Sequence, residues 1–389
     1  MINIRLATKD DEEQVYTLWQ KCFRDPESFA DYYFAHIYSY NRVFVLEEKK
    51  TILAMLHLNP YRIFIDGQVT ESEYIVGVAT DPDCRRRGFM RKLIEKALDT
   101  MWGEEIPFTY LMPAKEELYT PFQFTFIYSQ RILEFKKKRT LPDEDVYPLQ
   151  IHSTQAVTAN LAELADFANT ILMQQLDVFA YRDKDYFLRL LLETKSEGGE
   201  IRLLYHYKKL IGYAAYAVED EKRQQLLIRE LLYLPEAKAD VWKWIEQYFG
   251  IKRGRILLIP FSEEPGMQIS NRGRSYKKPI IMARIVHVEK FMKFIPVPEN
   301  FSLRICVIDP LIRQNHGKYV WRSGKRFEPI DERAQVDVTI PVEGLTSWIF
   351  GYQSVEDLRK KGVICFHTKC QDQLKRVAVI NKILLNEIV

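Results

Sequence analysis

Residues 78–93 read V-A-T-D-P-D-C-R-R-R-G-F-M-R-K-L. A β-type run over 74–80 leads through the basic turn Arg85-Arg86-Arg87-Gly88 into an amphipathic helix expected over 89–102. The first-turn N–H groups of a helix have no internal partner, and the helix dipole favours negative charge there. Gly88 lets the backbone approach a ligand with no Cβ in the way. The three arginines add charge that can fork onto phosphate oxygens. Alone, Arg-x-x-Gly is a common solvated turn; between a strand and a helix it reads as a pyrophosphate site.

Around this stretch the N-terminal portion alternates in α/β fashion. A strand is expected over 2–7, and Thr8 with Asp11 has the form of a capping box opening a helix to about Cys22. The aromatic segment 29–38 is expected to be helical, and 42–47 and 51–61 to be strands. Asp66-Gly67, flanked by 62–65 and 68–76, is a hairpin signal. After the helix come a buried strand over 108–112, a short helix over 115–120 and a strand pair near 124–135.

A second α/β unit follows with the same order of elements. Helices are expected over 154–176 and 185–194, a hairpin over 201–206 and 210–218, a strand over 226–233, a helix over 237–249 and a strand over 255–259. Its strand-to-helix junction reads E-L-L-Y-L-P-E-A-K-A-D-V-W, with no Arg-x-x-Gly. This copy keeps the pattern of the fold and lacks the anion site. The last part begins near Arg284, with helices expected over 288–294, 342–350, 355–361 and 369–374 and strands over 302–309, 317–322 and 334–341. Ser354 is a candidate N-cap, and Trp348 is expected to face inward.

At 389 residues, with 47% hydrophobic and 28% charged residues, the chain has the composition of a multidomain soluble globular protein. A formal charge of +3 gives no case for nucleic-acid binding. No apolar run reaches the length of a membrane span, and the N-terminus lacks a signal peptide's apolar core. The five cysteines are scattered without metal-ligand spacing, so no metal is expected and a reduced cytoplasmic setting is.

The strand–turn–helix of 78–93 resembles the cofactor cradle of the Gcn5-related N-acetyltransferases, pattern R/Q-x-x-G-x-G/A, which holds the pyrophosphate of acetyl-coenzyme A. Met90 departs from that pattern, where a small residue is usual. The segment L-Y-T-P-F-Q-F-T-F at 118–126, the degenerate second unit and the sterol-carrier-like start R-I-V-H-V-E-K-F-M at 284–292 narrow the resemblance. Together they are similar to the enhanced-intracellular-survival family of bacterial acetyltransferases. The resemblance implies an α/β (α+β) architecture in three parts: an acetyltransferase domain over 1–150, a degenerate copy over 151–283 and a sterol-carrier-protein-like domain over 284–389.

By matching positions, the resemblance implies that Val78, Ala79 and Thr80 meet the pantetheine arm. Arg85, Arg86, Arg87, Gly88, Phe89 and Met90 line the pyrophosphate. Tyr119 falls on the family's proton donor, and the α-carboxylate of Val389 on its base. Asp25 and Glu387 fall on acids that line the amine pocket. Acetyl-coenzyme A is the implied co-substrate, a small cationic amine (an aminoglycoside or a lysine-type amine) the acceptor, and a closed homo-oligomer, often a hexamer, the assembly. Glu73 competes as base, since many members of the superfamily carry a glutamate there. A non-catalytic reading, with the C-terminal domain binding a lipid or other small molecule, stays open beside the enzyme.

The chemistry explains the residue types. A primary amine with a pKa of about 10.4 must lose a proton to attack, and a leaving thiolate, of pKa about 8.5, must gain one. A tyrosine hydroxyl can donate that proton. A terminal carboxylate, normally near 3.3–3.7, becomes a better base when buried. No serine, cysteine or histidine occupies a matching nucleophile position, so direct attack on the thioester is expected.

Overall fold

The computed structural model describes residues 2–135, 151–220, 225–249, 253–261, 272–324 and 326–387. The first part runs β1 (Ile2–Leu6), α1 (Glu12–Cys22), α2 (Glu27–His36), β2 (Arg42–Glu48), β3 (Thr51–Ile65), β4 (Gln68–Thr80), α3 (Phe89–Gly103), β5 (Phe108–Leu111) and β6 (Thr125–Phe135). The Thr8–Asp11 capping box forms ahead of α1. Asp66 and Gly67 take φ of 42° and 84°, the left-handed pair that a two-residue turn needs to join β3 to β4.

The second part runs β7 (Ile151–Gln155), α4 (Leu161–Gln175), β8 (Val178–Ala180), α5 (Lys184–Ser196), β9 (Glu200–His206), β10 (Lys209–Asp220), β11 (Gln225–Tyr233), α6 (Lys238–Phe249), β12 (Arg253–Leu258) and β13 (Arg272–Ile285). The third runs α7 (Val288–Met292), β14 (Ser302–Ile308), β15 (Gly317–Arg322), β16 (Arg326–Pro329), β17 (Val338–Pro341), α8 (Val342–Ile349), α9 (Val355–Lys360), β18 (Cys365–Phe366), α10 (Gln371–Lys375) and β19 (Ile383–Leu384). Ser354 caps α9 as expected, and Trp348 is buried.

One 14-stranded sheet passes through the first and second parts in the order β1-β2-β3-β4-β5-β13-β6-β12-β11-β10-β9-β7, with β8 paired to the end of β3 and β19 to β8. The expected strand pair near 124–135 is instead the single strand β6. Its partners come from far along the chain: β12, and β13, which inserts between β5 and β6. Residues 154–155, expected as the start of a helix, belong instead to strand β7, which pairs with β9, and the helix begins at Leu161. The helix expected at 115–120 is two single 3₁₀ turns, Glu116–Leu118 and Thr120–Phe122. The strand expected over 334–341 is confined to Val338–Pro341.

The sheet buries both faces of the first unit. Apolar positions of α3 (Leu93, Ile94, Ala97, Leu98 and Met101) pack on Phe44, Leu56 and Ile75 of one face. The other face carries α1 and α2, and its core runs on into the third part. There Phe108 meets Phe291 and Phe350 with ring centroids 5.9 and 5.6 Å apart. A separate five-stranded sheet, β16-β15-β14-β17-β18, forms the body of that third part. No helix among the described residues is long and apolar enough to cross a membrane.

Candidate active site

The cradle is built by a tight sequence of backbone conformations. Asp81 closes the turn after β4 by accepting the Asp83 N–H at 3.0 Å, and Lys21 of α1 braces it from 2.8 Å. Arg86 and Gly88 then take φ of 64° and 78°, and Gly88 caps α3. Alternation of this kind turns successive N–H groups to one side, which makes an anion-binding concavity. The first hydrogen bond closing onto α3 runs from Lys92 N–H to the Gly88 carbonyl at 3.2 Å. Among the described residues the N–H groups of 86–91 have no protein acceptor.

The side chains agree with that reading. A Cβ at Gly88 would point into open space. Arg87 stacks on Phe89 at 4.6 Å and reaches Glu48 at 3.4 Å; Arg85 reaches the Thr80 carbonyl at 3.4 Å. Arg86 has no side-chain partner among the described residues. Phe89 is buried and anchors the helix start, while the half-buried Met90 packs toward the α3 core.

Beside the cradle the sheet opens. β4 pairs with β3 as far as Thr80, but with β5 only at Glu73↔Thr109 and Tyr74↔Tyr110. From Ile75 onward the two parallel strands diverge, which leaves a V along whose β4 edge Val78, Ala79 and Thr80 have no β5 partner among the described residues. A bulge opposite Leu56 sharpens the bend, and Gly77 sits in it with φ of 58°. A Cβ at Gly77 would lie 2.6 Å from Trp19.

At the point of the V the tail of the chain arrives. β19 pairs with β8, and the Tyr128 hydroxyl donates to the Leu385 carbonyl. Beyond it Glu387 is buried, accepting from the Tyr110 hydroxyl, the Tyr186 hydroxyl and Arg182, each at 3.4 Å. Arg182 also binds Asn386 at 3.0 Å and Glu230 at 2.9 Å. Burial outweighs Arg182 and lifts the Glu387 carboxyl above its usual range. Val389 lies outside the described residues.

Tyr119 occupies the link between the two 3₁₀ turns, 7% exposed and edge-on to Phe124 at 6.2 Å. Burial pushes its hydroxyl up to about 12, so it stays protonated at neutral pH. Arg284, fully buried and paired with Asp309 at 2.6 Å, donates to the Phe122 carbonyl at 2.7 Å and so ties this turn to the third part. Tyr74 lies within electrostatic reach of both the Tyr119 hydroxyl and the Glu387 carboxyl.

Two other acids stand apart. Glu73 pairs with Arg42 at 2.6 Å, and Arg42 with Glu104 at 2.5 Å, just past the C-terminal end of α3. The cradle lies at the other end of that 15-residue helix, about 22 Å away at 1.5 Å per residue. Asp25 accepts from Trp19 Nε1 at 3.1 Å, and partial desolvation raises its carboxyl. It lies near Glu197 of the second unit, and shares no hydrogen bond with the Glu387 network among the described residues.

Sequence reasoning missed the charged groups that the second unit brings to this junction: Arg182, Arg189, Glu193, Arg229 and Glu230. Arg229 pairs with Glu193 and, at 2.5 Å, with Glu197. Burial lifts the Glu193 carboxyl to about 7, against the pull of Arg229. A signal was present: Arg229-Glu230 interrupts the otherwise apolar run 226–234, and 189, 193 and 197 share one helix face. The corresponding strand–helix junction of this unit, Leu234 through the 3₁₀ turn Pro235–Ala237, has no left-handed residue and no glycine.

Comparison with known proteins agrees with this geometry. Residues 3–127 match the acetyltransferase (GNAT) domain family and residues 288–382 a sterol carrier protein domain. A search of curated proteins found no match. The fold is similar to a GCN5-related N-acetyltransferase from Anabaena variabilis (TM-score 0.82, 17% identity, 100% of each chain covered). It is also similar to Eis1 from Mycobacterium abscessus (TM-score 0.77, 12% identity, 100% of each chain). A GCN5-related N-acetyltransferase from Kribbella flavida aligns at TM-score 0.76 and 15% identity over 100% of this chain and 99% of its own. Residues 3–127 are therefore a GNAT acetyltransferase domain and residues 288–382 a sterol carrier protein domain, in a chain whose fold as a whole is similar to that of Eis1.

Proposed function

We propose that the chain transfers an acetyl group from acetyl-coenzyme A directly to a primary amine, in one site per chain. The observation that carries this reading is the V between β4 and β5 with an unsatisfied N–H cradle at its mouth and the chain's own tail at its point. The residues fit the co-substrate. The N–H groups of 86–91 and the arginines at 85–87 suit a pyrophosphate, and the open β4 edge at 78–80 suits an extended amide chain. When bound, acetyl-coenzyme A would supply the activated thioester.

In the reaction the amine nitrogen forms a bond to the acetyl carbon as the carbon–sulfur bond breaks. The amine proton goes to a carboxylate and the thiolate takes a proton from Tyr119. That thiolate develops in a desolvated slot, where its own proton affinity rises toward that of the tyrosine. The base in this reading is the Val389 α-carboxylate, two residues beyond Glu387. Glu387 and Asp25 attract the cationic acceptor. The salt bridge from Arg42 argues against Glu73 as base. The third part closes the site rather than holding a lipid: Phe301, Trp321, Phe327 and Trp348 fill its interior, and its Asp309 holds Arg284 of β13, which supports the turn of Tyr119.

Isothermal titration with acetyl-coenzyme A, followed by an acetylation assay over polyamines, aminoglycosides and lysine peptides, tests the proposal. The expected result is one bound acetyl-coenzyme A per chain and turnover with at least one amine. No binding at saturating cofactor overturns it.

A further inference from the structure

Three arginines gather where the second unit meets the tail, and their partners differ. Arg182 has Glu230 and Glu387, and Arg229 has Glu193 and Glu197. Arg189 has no carboxylate within salt-bridge distance among the described residues. Its guanidinium stacks on Tyr61 at 4.6 Å, and its Nη1 is buried with no hydrogen-bond partner. Leaving a buried charged donor unsatisfied is costly, and a carboxylate is the group that satisfies a guanidinium best.

Arg189 lines a tight cleft together with Tyr61, Tyr186, Glu193 and Glu387. Tyr61 in turn stands edge-on to Tyr74 at 6.4 Å and tilted to Tyr110 at 6.5 Å, the two tyrosines at the point of the V. The cleft thus leads to the place where the acetyl group is transferred. Its walls present Glu387 on the tail, Glu193 and Arg189 on α5 and Arg229 on β11; Arg229 is held by Glu193 and Glu197, whereas the Nη1 of Arg189 has no partner among the described residues. As it stands the cleft has room for about one water, so any acceptor opens it by side-chain movement, and a slender one fits better than a multi-ring one.

We propose that Arg189 binds the carboxylate of an acceptor that carries both an amine and a carboxylate, so that the enzyme acetylates amino acids or a residue with a free carboxyl terminus. The proposal rests on the acetyltransferase reading above. In it the acceptor's ammonium end faces Glu387 and the tail while its carboxylate forks onto Arg189. A polycationic acceptor would set like charge against Arg189.

The test compares kcat/KM for lysine with that for cadaverine, the same diamine without the carboxylate. The wild-type chain is expected to favour lysine at least tenfold. Arg189→Met is expected to lower that ratio at least tenfold, chiefly through KM for lysine, and Arg189→Lys to restore part of it. Peptides ending in lysine, with a free or an amidated carboxyl group, decide between a free amino acid and a chain terminus as the source. A wild-type ratio near one, or a ratio that Arg189→Met leaves unchanged whether both rates hold or both fall, overturns the proposal. If neither amine is acetylated by a chain that binds acetyl-coenzyme A, the amine-acceptor reading fails with it.

Discussion

Single residues in this molecule do what their surroundings permit, as the contrast between Tyr119 and His57 shows. Tyr119 is shifted by burial, which holds its proton at neutral pH and leaves it available for the donor role proposed for it. Replacing it with Phe is expected to lower kcat by roughly 10²–10⁴, the range for loss of a general acid, with little change in acetyl-coenzyme A affinity by titration. His57 is the opposite case. It is fully buried, accepts or donates to Tyr33 at 3.1 Å through Nδ1, and leaves Nε2 unpartnered. Burial lowers its pKa to about 3, so it is neutral in the folded chain. Below its ordinary value of 6.5 the unfolded chain takes up a proton that the folded chain refuses. Stability from this group is therefore complete above about pH 6.5 and is lost as the pH falls toward 3. Urea unfolding of His57→Gln should show a shallower fall in stability across that window than the parent chain.

At the scale of elements, what could be read from sequence was local. The Asp66-Gly67 turn, the Thr8–Asp11 box and the strand–turn–helix of 74–103 each complete themselves within one short stretch of chain, and each has the expected backbone form. The pairings that were not legible join distant segments. β6 was expected to find a partner beside itself, and its neighbours β12 and β13 lie more than a hundred residues on. Alternating apolar residues report that a strand is buried and say nothing of what lies next to it. β8 and β19, three and two residues long, are too short to show a period at all. Likewise the cradle residues were legible, whereas the Arg182 and Arg189 groups became significant only when α5 and the tail met. The cradle itself yields a sharp expectation. Gly88→Val places a β-branched residue at φ 78°, at about 1–2 kcal/mol in backbone strain, and puts its side chain into the open space above the N–H groups. Acetyl-coenzyme A affinity should fall at least tenfold by titration while the far-ultraviolet circular dichroism is retained.

For the whole molecule, the sheet order means that the first unit is not finished by its own chain segment. β13 fills the gap between β5 and β6, so hydrogen exchange should protect the amides of β5, β6 and β13 as one cooperative group. Exchange of β13 well ahead of β5 and β6 would show instead that the inserted strand opens separately. The same interdependence sets the site. The first unit supplies the cradle and the V, the second supplies Arg182 and Glu230 to hold the tail, and the third supplies Asp309, which pairs with Arg284 of β13, and the tail itself. The central claim is that this tail completes an acetyl-transfer site at the point of the V. It is tested most directly by the single-turnover acetylation rate, with acetyl-coenzyme A saturating, of a chain from which Val389 is removed. The account requires that rate to fall by at least a hundredfold while acetyl-coenzyme A affinity is retained; an unchanged rate would contradict it.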